Sequence, residues 1–130
     1  AALLIDYGRA VPEPGDTLQA LIRHEKLDPL ARPGESDLTV WADFPSVLEG
    51  ALVGGSDVTG VVEQGAFLKR LGIESRAESL SRAAPGRAET VGRQLDRLVG
   101  DDQMGKLFKA AAIFSPRSLV LPGFDGETRS

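Results

Sequence analysis

The chain has 130 residues, of which 42% are hydrophobic and 26% charged, a composition typical of one globular domain. Its 15 basic and 19 acidic residues give a formal net charge of −4, which argues against a protein that binds nucleic-acid phosphates. With no cysteine and one histidine, the sequence predicts no disulfide and no metal site. No apolar run approaches the roughly 20 residues of a transmembrane helix, so we expect no membrane span.

The first predicted element is a strand at Ala1–Ile5, because a continuous apolar run is typical of a strand covered on both faces. Asp6-Tyr7-Gly8 follows as a turn, and the proline-bearing stretch 9–16 is predicted to be a loop. The chain opens inside the apolar run, without the charged flank of a signal peptide, and its only methionine is Met104. We interpret the chain as a fragment of a longer protein.

Short strands and one helix are predicted next. Residues 17–23 fit both a strand and a helix, and their small number favours a strand. Residues 24–37 contain two prolines and a glycine and predict an irregular connection, after which 38–42 form another strand. A helix then runs to about Val53 and begins either at Asp43 as N-cap or at a capping box of Ser46 and Glu49.

The second half of the chain is predicted to be mainly helical. A strand at 58–62 is followed by helices at 65–71, 76–84 and 87–99, a strand at 107–114 and a polar tail from Ser115. Strands that alternate with helices indicate an α/β fold. In open α/β sheets ligands bind at the carboxyl ends of the strands, which is where the sequence places Asp6 and Tyr7.

Several side chains are candidates for a functional site, each with a structural alternative. Asp6 could orient an amine or accept a proton, or it could form an Asx-turn. Tyr7 could bond or stack on a ligand, or be a half-buried aromatic. The carboxylates Asp28, Asp37 and Asp43 would suit a guanidinium or an amine, with turn and cap chemistry as the alternative, which we favour for Asp43.

The other candidates are more often structural than functional. His24 stands in a charged loop, where a lone histidine is more often solvated than catalytic. The only tryptophan, Trp41, is expected to be packed rather than to stack on a ligand. Gln64 and Gly65 could present backbone N–H groups at a helix N-terminus, and a plain strand-to-helix turn explains them equally well.

No complete catalytic or nucleotide-binding motif is present, and no glycine-rich turn follows a strand. A cofactor that needs such a turn must therefore find it upstream of Ala1. The chain nevertheless contains a series of unusual segments, in the order LIDYG (4–8), GDTLQA (15–20), His24, DPL (28–30), PGE (33–35), DLT (37–39), DF (43–44), QGAFL (64–68), LGI (71–73) and MGKLFK (104–109). In this order, over residues 1 to about 116, the series resembles the MidA family of S-adenosylmethionine-dependent methyltransferases.

The resemblance implies a fold, and it implies that the two halves of the domain bind different ligands. Residues 1–116 would be the C-terminal half of a Rossmann-like methyltransferase domain, comprising the later part of its sheet and a helical insertion, and residues 117–130 a poorly ordered tail. S-adenosyl-L-methionine would be bound mainly by the missing N-terminal half, so that this chain contributes no cofactor-binding residue.

The family also implies roles for particular residues. Asp6 and Tyr7 match the strand end where such enzymes hold the transferring methyl group and its acceptor. The resemblance therefore implies that both residues are catalytic. The implied substrate-binding residues are His24, Asp28, Asp37, Asp43 and Gln64. The family usually has histidine and valine where this chain has Trp41 and Ala42, and threonine where it has Glu63.

The family implies a function as well. The reaction would be arginine N-methylation of a protein, linked to assembly of respiratory complex I, with a complex I subunit as the candidate substrate and a homo-oligomer as a candidate assembly. The location would be the cytoplasm of a bacterium, or the mitochondrial matrix in a eukaryote. A non-catalytic protein-interaction module derived from the same fold is the alternative.

Overall fold

The computed structural model describes residues 1–23, 25–115, 120–124 and 128–129, which form two sheets and five α-helices within these ranges. A single 3₁₀ turn at Pro85–Arg87 joins the third and fourth helices. The strands are β1 (Ala2–Arg9), β2 (Gln19–Ile22), β3 (Glu25–Leu27), β4 (Asp37–Thr39), β5 (Ala42–Asp43), β6 (Asp57–Thr59), β7 (Val62–Glu63), β8 (Phe108–Phe114) and β9 (Thr128–Arg129), and the helices are α1 (Phe44–Val53), α2 (Gln64–Arg70), α3 (Ile73–Ala83), α4 (Ala88–Val99) and α5 (Met104–Leu107).

The main sheet has the order β5-β1-β8-β6-β9, with β7 also paired to β8. Strand β8 is antiparallel to both of its neighbours, whereas β5 is parallel to β1. Successive residues of β8 face opposite sides of the sheet: Ala110 and Ala112 pack with Phe67 of α2, and Ala111 packs with Phe44 of α1. Helices therefore cover both faces, which confirms the predicted α/β class and is consistent with a Rossmann-like fold.

The predicted strand at 58–62 is divided into β6 and β7. Val58 pairs with Ile113 and Val62 with Ala110, so four residue steps on one strand oppose three on the other. One extra residue in an antiparallel pair is a β-bulge. The buried Thr59 hydroxyl accepts the backbone N–H of Ala112 at 2.8 Å, which satisfies a donor that the interrupted ladder would otherwise leave unpaired.

Strand β1 differs from its prediction in length and in burial. It continues through the expected turn to Arg9, because β8 pairs with Asp6 and Tyr7 and β5 pairs with Gly8 and Arg9. The expectation of a fully buried strand is wrong: Leu3 is 54% and Ile5 43% exposed. Within the described residues, the apolar side chains of β1 are covered more on one face of the strand than on the other.

The prediction of one strand at 38–42 is wrong, because β4 pairs with β2 in the small sheet and β5 pairs with β1 in the main sheet. The remaining elements follow the prediction with local differences. Part of the segment expected to be irregular, 24–37, is β3, which forms a three-stranded sheet with β2 and β4. Helix α3 begins at Ile73 rather than at residue 76, because Gly72 at φ +83° ends α2 and starts α3 directly. The one-turn helix α5 was not predicted; at four residues it is too short to show a periodic pattern.

Parts of the C-terminal segment that the structure describes contact the core, whereas the poor order of the tail 117–130 stays a prediction. Phe124 is buried, and its ring centroid lies 4.8 Å from that of Phe67. Strand β9 pairs with β6 at Val58 and Thr59. Residues 116–119, 125–127 and 130 lie outside the described ranges.

The open edge of β1 leads to a first prediction. Within the described ranges β5 covers only Gly8 and Arg9, so the backbone of Ala2–Tyr7 is unpaired along that edge. An exposed apolar edge strand pairs readily with another chain. We expect this 130-residue chain to self-associate, and Leu3→Lys to reduce the association in sedimentation experiments.

The matched control is Leu30→Lys, which changes a leucine that is 82% exposed outside the strands and should leave association unchanged. A sharp thermal transition of the unmodified chain that does not depend on protein concentration would contradict this prediction.

Candidate functional site

A cleft of about 290 Å³ opens at the carboxyl ends of the parallel strands β1 and β5. We call it the strand-end cleft. One wall is the segment that follows β1, and the opposite wall is the segment that leads into β5. Its lining residues are Arg9, Val11, Pro12, Glu13, Thr17, Val40, Trp41, Ala42 and Asp43.

Gly8 allows the two strands to meet at the base of this cleft. A Cβ atom at this position would lie 2.4 Å from the carbonyl oxygen of Ala42 and 3.0 Å from the ring of Phe44. Only a residue without a side chain can approach the β5 backbone so closely. The glycine in the LIDYG segment therefore has a steric function at the site.

Arg9 and Trp41 face each other across the cleft. The guanidinium carbon of Arg9 lies 5.6 Å from the centroid of the Trp41 ring, a cation–π contact. The terminal nitrogens of Arg9 donate to the carbonyl oxygens of Glu13 and Gly15. The backbone N–H of Trp41 donates to the Thr17 hydroxyl at 3.2 Å, so the two walls are also joined directly.

Asp43 lines the cleft and is also the N-cap of α1. Of the two helix starts that the sequence predicts, the structure has the one at Asp43. Its carboxylate accepts the backbone N–H of Ser46 at 3.2 Å and the Ser46 hydroxyl at 2.7 Å. These two hydrogen bonds, and to a smaller extent the charge of Arg9, lower the pKa of the Asp43 carboxyl. Asp43 thus places a carboxylate that stays ionised beside the cleft.

The pKa of Asp43 leads to a second prediction. Because its folded-state pKa is lowered, Asp43 stabilises the fold fully above its unfolded pKa, and this stabilisation is lost as the pH falls through the folded pKa. Asp43→Asn keeps a good capping residue without the charge. Thermal melts should show a lower Tm for this variant at pH 7, and the difference should shrink as the pH falls below the unfolded pKa of aspartate and through the lowered folded pKa.

Asp6 and Tyr7 lie within β1 rather than at its end, and they are not among the residues that line the strand-end cleft. Asp6 is exposed and opposite Lys109 of β8, which is in turn opposite Glu63 of β7, so the three side chains form a row on one face of the sheet. The Asp6 carboxylate accepts the Tyr7 N–H at 2.8 Å. The Tyr7 ring meets that of Phe108 edge-on at 5.5 Å, as a half-buried aromatic would.

The predicted substrate carboxylates are not brought together. Asp28 accepts the Leu30 N–H at 2.7 Å in an Asx-turn. Asp37 starts β4 and lines a separate cleft of about 860 Å³ together with Arg23, in the turn between β2 and β3, and Lys26 of β3. His24 lies outside the described residues. Of the three carboxylates only Asp43 lines the strand-end cleft.

Gln64 has a structural contact in the core. It is buried, and its side-chain amide donates to the backbone carbonyl of Leu98 at 2.9 Å, which ties the start of α2 to α4. A role of Gln64 toward a substrate stays a prediction, as do the catalytic roles of Asp6 and Tyr7.

Sequence reasoning did not single out Arg9, and it did not predict that the ring of Trp41 contacts a charged group. Arg9 follows LIDYG directly, and a cation that comes right after a strand-end motif is the signal that could have pointed to it. Trp41 is half-buried, as expected of a packed residue, but the group that it packs against is the guanidinium of Arg9.

The strand-to-helix turns do not form a cradle for a nucleoside cofactor such as S-adenosylmethionine. At the start of α1 the Asp43 side chain already takes the N–H of Ser46. At the start of α2 a Cβ on Gly65 would lie 2.8 Å from the carbonyl oxygen of Val99, so that backbone is covered by α4. The described residues include no cluster of three or more potential metal ligands, and none of their helices is long and apolar enough to cross a membrane.

Comparison with known proteins gives consistent results. Residues 1–62 match a family described as "Putative S-adenosyl-L-methionine-dependent methyltransferase". The chain is 40% identical over 115 residues to the Drosophila melanogaster mitochondrial protein arginine methyltransferase NDUFAF7 homolog, and 36% identical over 121 residues to rat NDUFAF7. These alignments cover 87% and 92% of this chain but only 26% and 27% of the relatives, so the chain spans about a quarter of their length.

The fold is similar to a crystal structure from Burkholderia thailandensis that was solved with S-adenosyl-homocysteine bound. The TM-score is 0.81 at 26% sequence identity, and the match covers 98% of this chain and 35% of the other. A second structure from the same organism matches with a TM-score of 0.85, again over 98% of this chain.

Proposed function

Because this chain belongs to the MidA-like family of S-adenosyl-L-methionine-dependent methyltransferases, we propose that it forms the substrate-side half of an enzyme that methylates an arginine side chain of a protein. Residues 1–116 would constitute this half of the domain. The arginine acceptor is proposed because relatives at 40% and 36% identity are named protein arginine methyltransferases.

The strand-end cleft is the observation that carries this proposal. It lies where open α/β sheets bind their ligands, and it combines an aromatic wall, Trp41, with the ionised carboxylate of Asp43. A guanidinium is recognised by carboxylates and by aromatic faces. The cleft volume of about 290 Å³ suits one amino-acid side chain rather than a whole nucleoside ligand.

The residues of this chain would act on the acceptor rather than on the cofactor. Asp43 and Asp6 would hold the guanidinium by charge-assisted hydrogen bonds, and Asp6 would accept the proton that the guanidinium nitrogen loses on methylation. Alignment of the acceptor supplies a large part of the rate acceleration in such reactions. The cofactor would be bound by the part of the family domain that this chain does not span.

The acceptor protein and the location are finer proposals. A subunit of respiratory complex I is the proposed substrate, and the bacterial cytoplasm the proposed location, with the mitochondrial matrix as the equivalent in a eukaryote. A homo-oligomer is the proposed assembly of the complete protein.

Calorimetric titration of S-adenosylmethionine tests the proposal. The titration is made into this 130-residue chain and into the protein encoded by the complete reading frame. Binding by the complete protein only, followed by methyl transfer to an arginine peptide and not to the same peptide with lysine, is the expected result. Binding by neither protein would refute the enzyme and favour the non-catalytic interaction module, which the lack of a cofactor cradle among the described residues makes the second candidate.

A further inference from the structure

Arg9 joins three parts of the strand-end cleft. Its backbone is fixed by the parallel pairing of β1 with Asp43. Its guanidinium covers the ring of Trp41, on one wall. The same guanidinium donates to the carbonyl oxygens of Glu13 and Gly15, on the opposite wall. A lysine could not reproduce this arrangement, because a single ammonium group lacks the planar fork of donors that bridges separate acceptors.

The segment 10–16 depends on this attachment. All seven residues are exposed, and the segment has no helix or strand. Two of the residues are prolines, which cannot donate backbone hydrogen bonds, and Gly15 has φ +128°, a conformation accessible chiefly to glycine. A segment of this kind keeps one position only where side chains from a rigid element hold it.

One donor of Arg9 remains unused by the protein. The Nε atom is buried and has no hydrogen-bond partner among the described residues. Buried donors without a partner are rare in folded proteins, and each calls for an explanation. Because the Nε atom is shielded from solvent, the position of Arg9 is set by its contacts with Trp41 and with the carbonyl oxygens of Glu13 and Gly15.

We propose that Arg9 is a positioning residue for the acceptor: it holds segment 10–16 opposite Trp41, so that the strand-end cleft keeps the width of one side chain and binds the acceptor peptide. This inference rests on the proposed function. It differs from a second interpretation, in which Arg9 imitates the acceptor guanidinium and blocks the cleft. The carbonyl bonds favour the first, because they attach Arg9 to the wall that it orders.

The test uses the complete protein with three variants: Arg9→Met, Arg9→Lys and, as the matched control, Arg93→Met on the exposed face of α4. The probe is the peptide acetyl-Gly-Gly-Arg-Gly-Gly-amide. We expect Arg9→Met to raise the KM for the peptide about ten-fold and to change kcat less than about two-fold, the pattern of lost binding that is the same in ground and transition state. The KM of Arg9→Lys should lie between that of the unmodified enzyme and that of Arg9→Met. The KM and kcat of the control Arg93→Met should equal those of the unmodified enzyme.

A KM that stays unchanged would overturn the proposal, and a KM that falls would establish the blocking interpretation instead. Hydrogen exchange at the amides of residues 13 and 15–18 provides a readout that does not need activity, and it should be faster in Arg9→Met but not in Arg93→Met. If the unmodified protein transfers no methyl group, the proposed function fails, and unchanged exchange in Arg9→Met would then also refute the positioning role.

Discussion

Gly8→Ala is expected to separate β5 from β1 and to weaken acceptor binding. The new Cβ would lie 2.4 Å from the carbonyl oxygen of Ala42, a backbone atom that cannot rotate away. The ring of Phe44 at 3.0 Å closes the other side, and Phe44 is itself buried in the core beside β8. The parallel strand must therefore move, which takes Trp41 and Asp43 away from Arg9.

The expected loss of stability is about 1–3 kcal/mol, as for other overpacked sites. Denaturant unfolding measures it, and a peptide KM at least about ten-fold higher would report the loss of the cleft. The matched control is Gly50→Ala in α1, where a Cβ meets nothing within 4 Å. There the better helix propensity of alanine should stabilise the protein by about 0.5–1 kcal/mol. Equal stabilities of the two alanine variants would refute the steric role of Gly8.

Local chemistry predicted the helices well. The N-cap at Asp43, the stop of α3 before Pro85 and the end of α4 at Gly100 each depend on residues within one turn of the boundary, and the structure confirms them. Such signals act through hydrogen bonds between near neighbours in sequence. They can therefore be recognised without knowledge of the tertiary structure.

The end of β1 and the division of 58–62 into two strands could not be predicted in this way. Both are set by partners that lie far away in sequence, since β8 extends β1 beyond its apolar run and imposes the bulge between β6 and β7. A local pattern contains no information on how many residues the partner strand offers. The burial of Phe124 has the same origin, because the residue that covers it is Phe67.

The candidate site, too, could be predicted from the sequence only in part. Sequence reasoning placed a candidate site after the strand in LIDYG, with Asp6 and Tyr7 at the strand end. In the structure β1 continues to Arg9, so Asp6 and Tyr7 lie inside the strand and Arg9 lines the cleft at its end. Sequence reasoning did not find the contact of Arg9 with Trp41, which only the parallel pairing of β1 with β5 creates. The grouping of Asp28 and Asp37 with Asp43 failed because an independent small sheet carries the first two away from the strand-end cleft.

Asp6→Asn should have the largest effect on the chemical step. Asp6 is an exposed carboxylate on β1, and the Asp6–Lys109 register places it in a row with a cation and, beyond it, Glu63. Asparagine has the same shape and can still accept the N–H of Tyr7, but it carries no charge and cannot take up a proton. The substitution therefore tests the charge and not the packing.

We expect Asp6→Asn to lower kcat about 10²- to 10⁴-fold, the usual contribution of a positioned acid or base, while stability stays nearly constant. Asp102→Asn, an exposed carboxylate in the turn before α5, is the matched control and should leave kcat unchanged. A fall in kcat/KM that comes from KM alone would assign Asp6 to binding of the guanidinium rather than to proton transfer. Full activity of Asp6→Asn would exclude Asp6 from the reaction and leave Asp43 and Glu13, the carboxylates that line the strand-end cleft, as candidates to act on the acceptor.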